Sequence, residues 1–207
     1  MHKFTFILFT FLSLFLYSDT EGEQTTDGAF TTLLVAAPDI EKYTETLRSN
    51  PSAFQATGAT GAGVCVTNSG NDYEGQMLVW SAFPDVASAL EGGTKYDPQQ
   101  APRQFKNLRE LKYGVTWKAL TPFRLEPGYE RVQRIRVSAE NLQAFNEGLE
   151  KLEASIRAAG HPNFFNGAFV PIGGGSHEIE TLTIRSVTRD AQSMGILFDE
   201  YFSGNAS

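Results

Sequence analysis

Cysteine occurs once in the 207 residues, at Cys65, so the chain can close no disulfide on itself. Its place in the apolar run GVCV reads as a small buried residue rather than a reactive thiol. Histidine is nearly as scarce: His2 lies in an N-terminal apolar segment, which leaves His161 and His177. His161 follows a predicted helix end, where an imidazole meets the last carbonyls and the negative end of the dipole. His177 flanks a turn beside Glu178 and Glu180, and one histidine with two carboxylates at that spacing forms no metal pattern, so no metal is expected. Gly-x-Ser-x-Gly, a phosphate loop, a zinc pair and a Cys/His arrangement are all missing, so no catalytic constellation can be named. A basic surplus is missing too. The formal charge of −7 and pI near 5.0 argue against nucleic acid or an anionic membrane as partner, and favour a small molecule or a protein.

Only one long apolar run exists, Phe4 to Tyr17, preceded by Lys3 and followed by Asp19, Glu21 and Glu23. It is shorter than the roughly 20 residues a membrane span needs, and has the form of a secretory signal. The expectation is a signal peptide over residues 1–22 and a periplasmic or secreted product without a stable membrane span. An Asn-Ala-Ser glycosylation sequon stands at Asn205, at the very end.

The remainder says nearly the same thing twice. GVCVTNSGNDYEGQMLVWSAF (63–83) lies over GAFVPIGGGSHEIETLTIRSV (167–187) without a gap, pairing Gly63 with Gly167, Gly70 with Gly174, Glu74 with Glu178 and Leu78 with Leu182 at an interval of 104 (174 − 70). Upstream, TLLVAAPDIEKYTETL (32–47) lies over RIRVSAENLQAFNEGL (134–149) at an interval of 102 (134 − 32). A period near 100 suits a duplicated unit rather than a solenoid.

Periodicity predicts strands at 31–37, 63–67, 76–83 and 113–120, with helices from Pro38, from Pro84 and around 105–111. The second copy predicts strands at 129–137, 164–172 and 178–187. A long helix carries Leu142, Phe145, Leu149, Leu152 and Ile156 on one face, and another starts near Arg189. The order is the split βαββαβ pattern. The GGGS stretch at 173–176 then falls in a hairpin turn, where glycine is needed for backbone geometry; it has neither the lysine nor the following helix of a phosphate loop. Residue 207 falls level with Arg103, so the second copy is expected to lack its last strand and to leave an open sheet edge, filled by further sequence or by another chain.

This element order and duplication resemble the dimeric α/β-barrel superfamily in its fused form. The resemblance implies an α+β fold of two tandem ferredoxin-like units, 28–123 and 128–207, packed as a pseudo-dimeric α/β barrel around a cavity. It also implies a range of chemistries, including cofactor-free oxygenases and haem-using enzymes, with haem as the cofactor of the latter. Strand alternation assigns Leu33, Val35, Leu78 and Trp80, with Ile135, Val137, Leu182 and Ile184, to the helix-covered face. Arg134, Arg136, Thr181, Thr183 and Arg185 then face the cavity with Met77 and Val79. One wall is cationic and the other apolar, a setting for an organic anion held by Arg134, Arg136 and Arg185 against Met77 and Val79. Three readings stay open: an exported small-molecule-binding protein, an oxygenase in which one of those arginines stabilises an oxyanion, and an interaction module that recruits a strand at the open edge. An oligomer is compatible with each.

Overall fold

The computed structural model describes residues 25–26 and 28–204; the signal expected at 1–22 and the Asn205 sequon lie outside them. The elements run β1 (Thr25–Thr26), β2 (Ala29–Ala36), α1 (Ile40–Ser49), α2 (Ser52–Thr57), β3 (Gly61–Val66), β4 (Gln76–Phe83), α3 (Val86–Lys95), α4 (Arg103–Lys106) and β5 (Glu110–Ala119). There follow β6 (Phe123–Arg124), β7 (Tyr129–Ile135), α5 (Leu142–Ala158), β8 (Phe165–Gly173), β9 (Leu182–Thr188) and α6 (Ala191–Ser203). Helix starts are set by aspartates. Asp39, Asp85 and Asp190 accept from the backbone N–H of Lys42, Ser88 and Ser193 at 2.9, 2.7 and 2.8 Å. Each satisfies a first-turn donor that has no partner within its helix.

The fold is α+β. Seven strands form one antiparallel sheet in the order β3-β4-β2-β5-β8-β9-β7, and β1 pairs with β6 beside it. In each half, the strand before a long helix ends up next to the second strand of the following hairpin: β2 beside β4, and β7 beside β9. β5 joins the halves, pairing with β2 on one side and β8 on the other. The sheet curls strongly, because Cys65 on the first strand in this order comes within reach of Glu130 and Arg185 on the last two.

Helices cover the convex face. Val35, Ala37, Met77 and Val79 pack with Tyr43 of α1 and Phe105 of α4; under α5 lie Ala168, Leu182 and Ile184, with Ile135, Leu142, Phe145 and Leu149 packed on them. Tyr43 and Met77 are fully buried, worth about 1.5–3 kcal/mol each in apolar area removed from water. The concave face is filled by rings: Phe30, Trp117, Phe123, Phe165 and Phe169 are buried together with Val115 and Val187, and Trp80 packs against them. Phe30 meets Phe169 edge to face at 5.6 Å, and Phe123 meets Phe165 at 5.2 Å and Phe169 at 5.1 Å.

The expected face assignment holds for the second half and fails for β4. Leu33 and Val35 stand opposite Val79 and Met77, so Met77 and Val79 lie beneath the helices, while Leu78 and Trp80 turn to the concave side. The cause is one residue of turn length. From Gly63 to its ladder partner Trp80 the first hairpin spans 17 positions (80 − 63), and from Gly167 to its partner Arg185 the second spans 18 (185 − 167). Gly63 opposes Trp80 where Gly167 opposes Arg185, so the first strands correspond at 104 (167 − 63) and the second at 105 (185 − 80). A gapless overlay slips β9 by one position, and a one-residue slip exchanges the two faces of a strand. The two helix caps carry the same interval, 105 (190 − 85).

Candidate functional site

At one end of the concave face the residues between β8 and β9 fold back over the sheet. Ser176–Glu178 form a single 3-10 turn, and Glu180 follows with φ 57°, so the strand expected from Glu178 begins only at Leu182. Glu178 is thereby aimed inward, with 2% of its surface exposed. Its carboxylate accepts from Arg134 through Nε at 3.3 Å and Nη2 at 3.1 Å, a fork to both oxygens. Tyr113 donates its hydroxyl to the same carboxylate at 3.3 Å and accepts from Arg134 Nη2 at 3.0 Å. His177 stacks on the Tyr113 ring at 5.1 Å. Burial pushes the Tyr113 hydroxyl up to about 12 against the pull of Arg134, so it serves as a proton donor at neutral pH. For Arg134 burial works against the charge, and the hydrogen bonds and charge of Glu178 outweigh it, raising its pKa.

Beneath this cluster lies unspent hydrogen-bonding capacity. Thr183, directly across the ladder from Arg134, is 8% exposed, and its buried hydroxyl has no partner among the described residues. Nearby, Trp117 donates its indole N–H to Thr32 Oγ1 at 2.8 Å, leaving the Trp117 side chain satisfied.

The second arginine sits deeper. Arg185 grips Glu130 through Nε at 2.7 Å and through Nη2, and Nη2 also lies 3.1 Å from the Cys65 sulfur. Desolvation opposes its charge, but Glu130 and Cys65 hold its pKa up. Burial in turn raises the Cys65 thiol despite Arg185, so it is not an activated thiolate.

The five residues expected to line one cavity are thus split. Arg134 and Arg185 share the concave face, each paired with a glutamate. Arg136 is exposed just past the end of β7, with no ion pair among the described residues. Met77 and Val79 lie on the other side of the sheet, in the helix-covered core. Glu178 and Tyr113 were not among the expected site residues; in the sequence Glu178 stood out only as the counterpart of Glu74 and as a carboxylate beside His177. His161 is on the helix side, its Nε2 2.8 Å from Glu200 between the end of α5 and α6. Among the described residues no three His, Cys, Asp or Glu side chains cluster as metal ligands. A cleft of about 210 Å³ lies outside the concave face, between α5 and the Thr121–Pro122 segment. No helix of the described residues is long and apolar enough to cross a membrane.

No family model matches the chain, and no curated protein matches it. Among solved structures it is similar to an anthrone oxidase-like protein (11% identity, TM-score 0.48, 84% of this chain and 78% of that one). It is also similar to a candidate monooxygenase from Lactobacillus acidophilus NCFM (8% identity, TM-score 0.49, 82% and 81%). A cyanide-bound mutant chlorite dismutase from Candidatus Nitrospira defluvii matches with 10% identity and TM-score 0.46, over 83% and 80%.

Proposed function

We propose that this chain is an exported small-molecule-binding protein built from two tandem ferredoxin-like units, 28–123 and 128–207, arranged as a pseudo-dimeric α/β barrel. The proposed ligand is an organic anion taken at the Tyr113–Arg134–Glu178 end of the concave face. The observation that carries this reading is the Arg134 fork. It faces a half-open end, and its present occupant is a carboxylate on a turn rather than on a strand. A ligand carboxylate or phenolate would take the place of Glu178, accept from Arg134 and Tyr113, and offer an acceptor to the unpartnered Thr183 hydroxyl. Arg136 would add a rim cation. The apolar contact once expected from Met77 and Val79 passes to the Tyr113 and His177 rings.

The oxygenase reading is weaker on the same geometry. Arg185 is neutralised by Glu130, which leaves only the arginines at the open end for an oxyanion. The residues do not fit a haem: rings fill the concave face, His161 is committed to Glu200, and His177 lies flat on Tyr113.

Calorimetric titration with benzoate and salicylate, on purified full chain, tests the proposal. Glu178→Gln removes the internal competitor and is expected to tighten binding about tenfold, a gain of about 1.4 kcal/mol. Arg134→Ala is expected to abolish it. Absence of any binding by the Glu178→Gln protein defeats the proposal.

A further inference from the structure

Helix α5 covers its part of the sheet without sealing it. Its first two turns pack Leu142, Phe145 and Leu149 against the core of the second half, at the three-and-four spacing of one helix face. One turn on, the same face carries Glu153, whose carboxylate accepts from the Asn166 backbone N–H at 2.7 Å and lies 3.5 Å from Arg157. Leu152, which the periodicity places inward, is 48% exposed, and no residue of the helix is buried. Two clefts flank the helix here. The one beside Pro122 shares Thr121 and Glu150 with a second, of about 480 Å³, on the Leu120 side.

Three polar groups that border these clefts lack a partner among the described residues. Asn166 is 7% exposed; its amide oxygen accepts from the Ser186 hydroxyl at 2.7 Å, and its amide nitrogen is buried without an acceptor. Asn146 has a buried amide oxygen without a donor. Glu150, the carboxylate common to both clefts, is exposed and makes no ion pair. Burying an amide donor or acceptor unpaired is costly, so such groups mark places that something else completes. A water molecule would satisfy either amide, but it would not balance Glu150. Asn146 and Glu150 stand four residues apart, neighbours on one helix face. Glu150 precedes Glu153, the residue that holds the Asn166 backbone, by about 4.5 Å of helical rise. Two acceptors therefore lie together, with the free donor of Asn166 about one turn away.

We propose that this cleft binds a small primary amine that also carries a carbonyl oxygen. The ammonium donates to Glu150 and to the Asn146 amide oxygen, and the carbonyl accepts from the Asn166 amide nitrogen. Pro122, Leu149 and Ala154 supply an apolar wall. At about 210 Å³ the part beside Pro122 is smaller than the roughly 300–1,000 Å³ of pockets for larger ligands, which sets the size. Arg157 is held by Glu153, so the site keeps a net negative charge and disfavours anions. It lies on the helix side of the sheet, and the inference does not depend on the organic-anion reading at the Arg134 fork.

The probe is β-alaninamide, titrated into the isotopically labelled full chain while the side-chain amide resonances of Asn166 and Asn146 are followed. Propionamide, which lacks the ammonium, and propylamine, which lacks the carbonyl, are the controls. Saturable shifts of both resonances are expected with β-alaninamide, and binding at least tenfold weaker with either control. Glu150→Gln, a change at an exposed side chain, is expected to weaken binding about threefold, as for an exposed ion pair, whereas Glu126→Gln leaves it unchanged. Three results would overturn the proposal: no saturable shift of the Asn166 amide, propylamine binding as well as β-alaninamide, or binding indifferent to Glu150→Gln. The first would mean that ordered water alone completes the two amides.

Discussion

The β3–β4 and β8–β9 hairpins share one pattern and do opposite things. In each, a glycine on the first strand faces inward and lets a ring lie over the backbone. A Cβ on Gly63 would stand 2.6 Å from the Trp80 ring, and one on Gly167 would run into Phe123 and Phe169. Across the ladder, however, the first hairpin presents Trp80 and the second Arg185. The second turn folds Glu178 onto the concave face, whereas the first, 67–75, brings Asp72 and Tyr73 only within electrostatic reach of Arg134 and Tyr113. Two similar hairpins thus differ in their lining: one wall provides apolar filling and the other provides charge, each charge matched at once by a carboxylate.

The two ion pairs sharpen the division, and the largest effect is expected at the deeper one. Arg185 and Glu130 side chains are 14% and 19% exposed, so Glu130→Gln leaves a buried guanidinium without its counter-charge. A loss of about 3–5 kcal/mol in urea unfolding is expected. A loss below about 1 kcal/mol would show that water reaches Arg185 and that the walls differ less than their pairing implies. Next come the glycines. Gly167→Ala drives a methyl into buried rings and is expected to cost about 2–3 kcal/mol, while Gly63→Ala meets a Trp80 that is only partly buried and can turn aside, at about 1 kcal/mol. Equal costs would mean that both hairpins are equally confined.

At the open end, Glu178→Gln is expected to cost less than about 1 kcal/mol, because the Arg134 side chain is 42% exposed and water can replace the lost partner. The smallest effect is spectroscopic. Burial raises Tyr43 and Tyr113 to about 12, so both keep their protons after an ordinary tyrosine has ionised near 10. Each contribution to stability is complete below pH 10 and fades as pH rises through 12. In a difference-absorbance titration, Tyr113→Phe should remove one of the late-titrating groups and leave the other.

Much of this arrangement was legible in the sequence. Amphipathic spacing located α5, and alternation gave β9 its correct faces, because Leu182 and Ile184 are strongly apolar between Thr183 and Arg185. β4 was misread because Gln-Met-Leu-Val-Trp is apolar at consecutive positions, so alternation could not decide which parity faced the helices. The gapless overlay then decided wrongly. A better guide was present: Asp85-x-x-Ser88 and Asp190-x-x-Ser193 both have the form of a capped helix start, and their interval of 105 (190 − 85) reveals the extra residue. Helix α2 is short and carries no buried residue, so it left no periodic trace. The partners of Arg134 and Arg185 could not be read, since Glu178 and Glu130 lie 44 and 55 residues away and meet them only through the β7–β9 pairing and the turn that precedes β9.

Phe123 has a consequence for how the molecule comes apart. It belongs to the connection between the halves, yet its ring is clasped by Phe30 from one half and by Phe165 and Phe169 from the other. Opening either half strips the connector of its neighbours and exposes the rings of the other. Heat should therefore melt the protein in a single cooperative transition, with calorimetric and van't Hoff enthalpies in agreement, despite the repetition in its sequence.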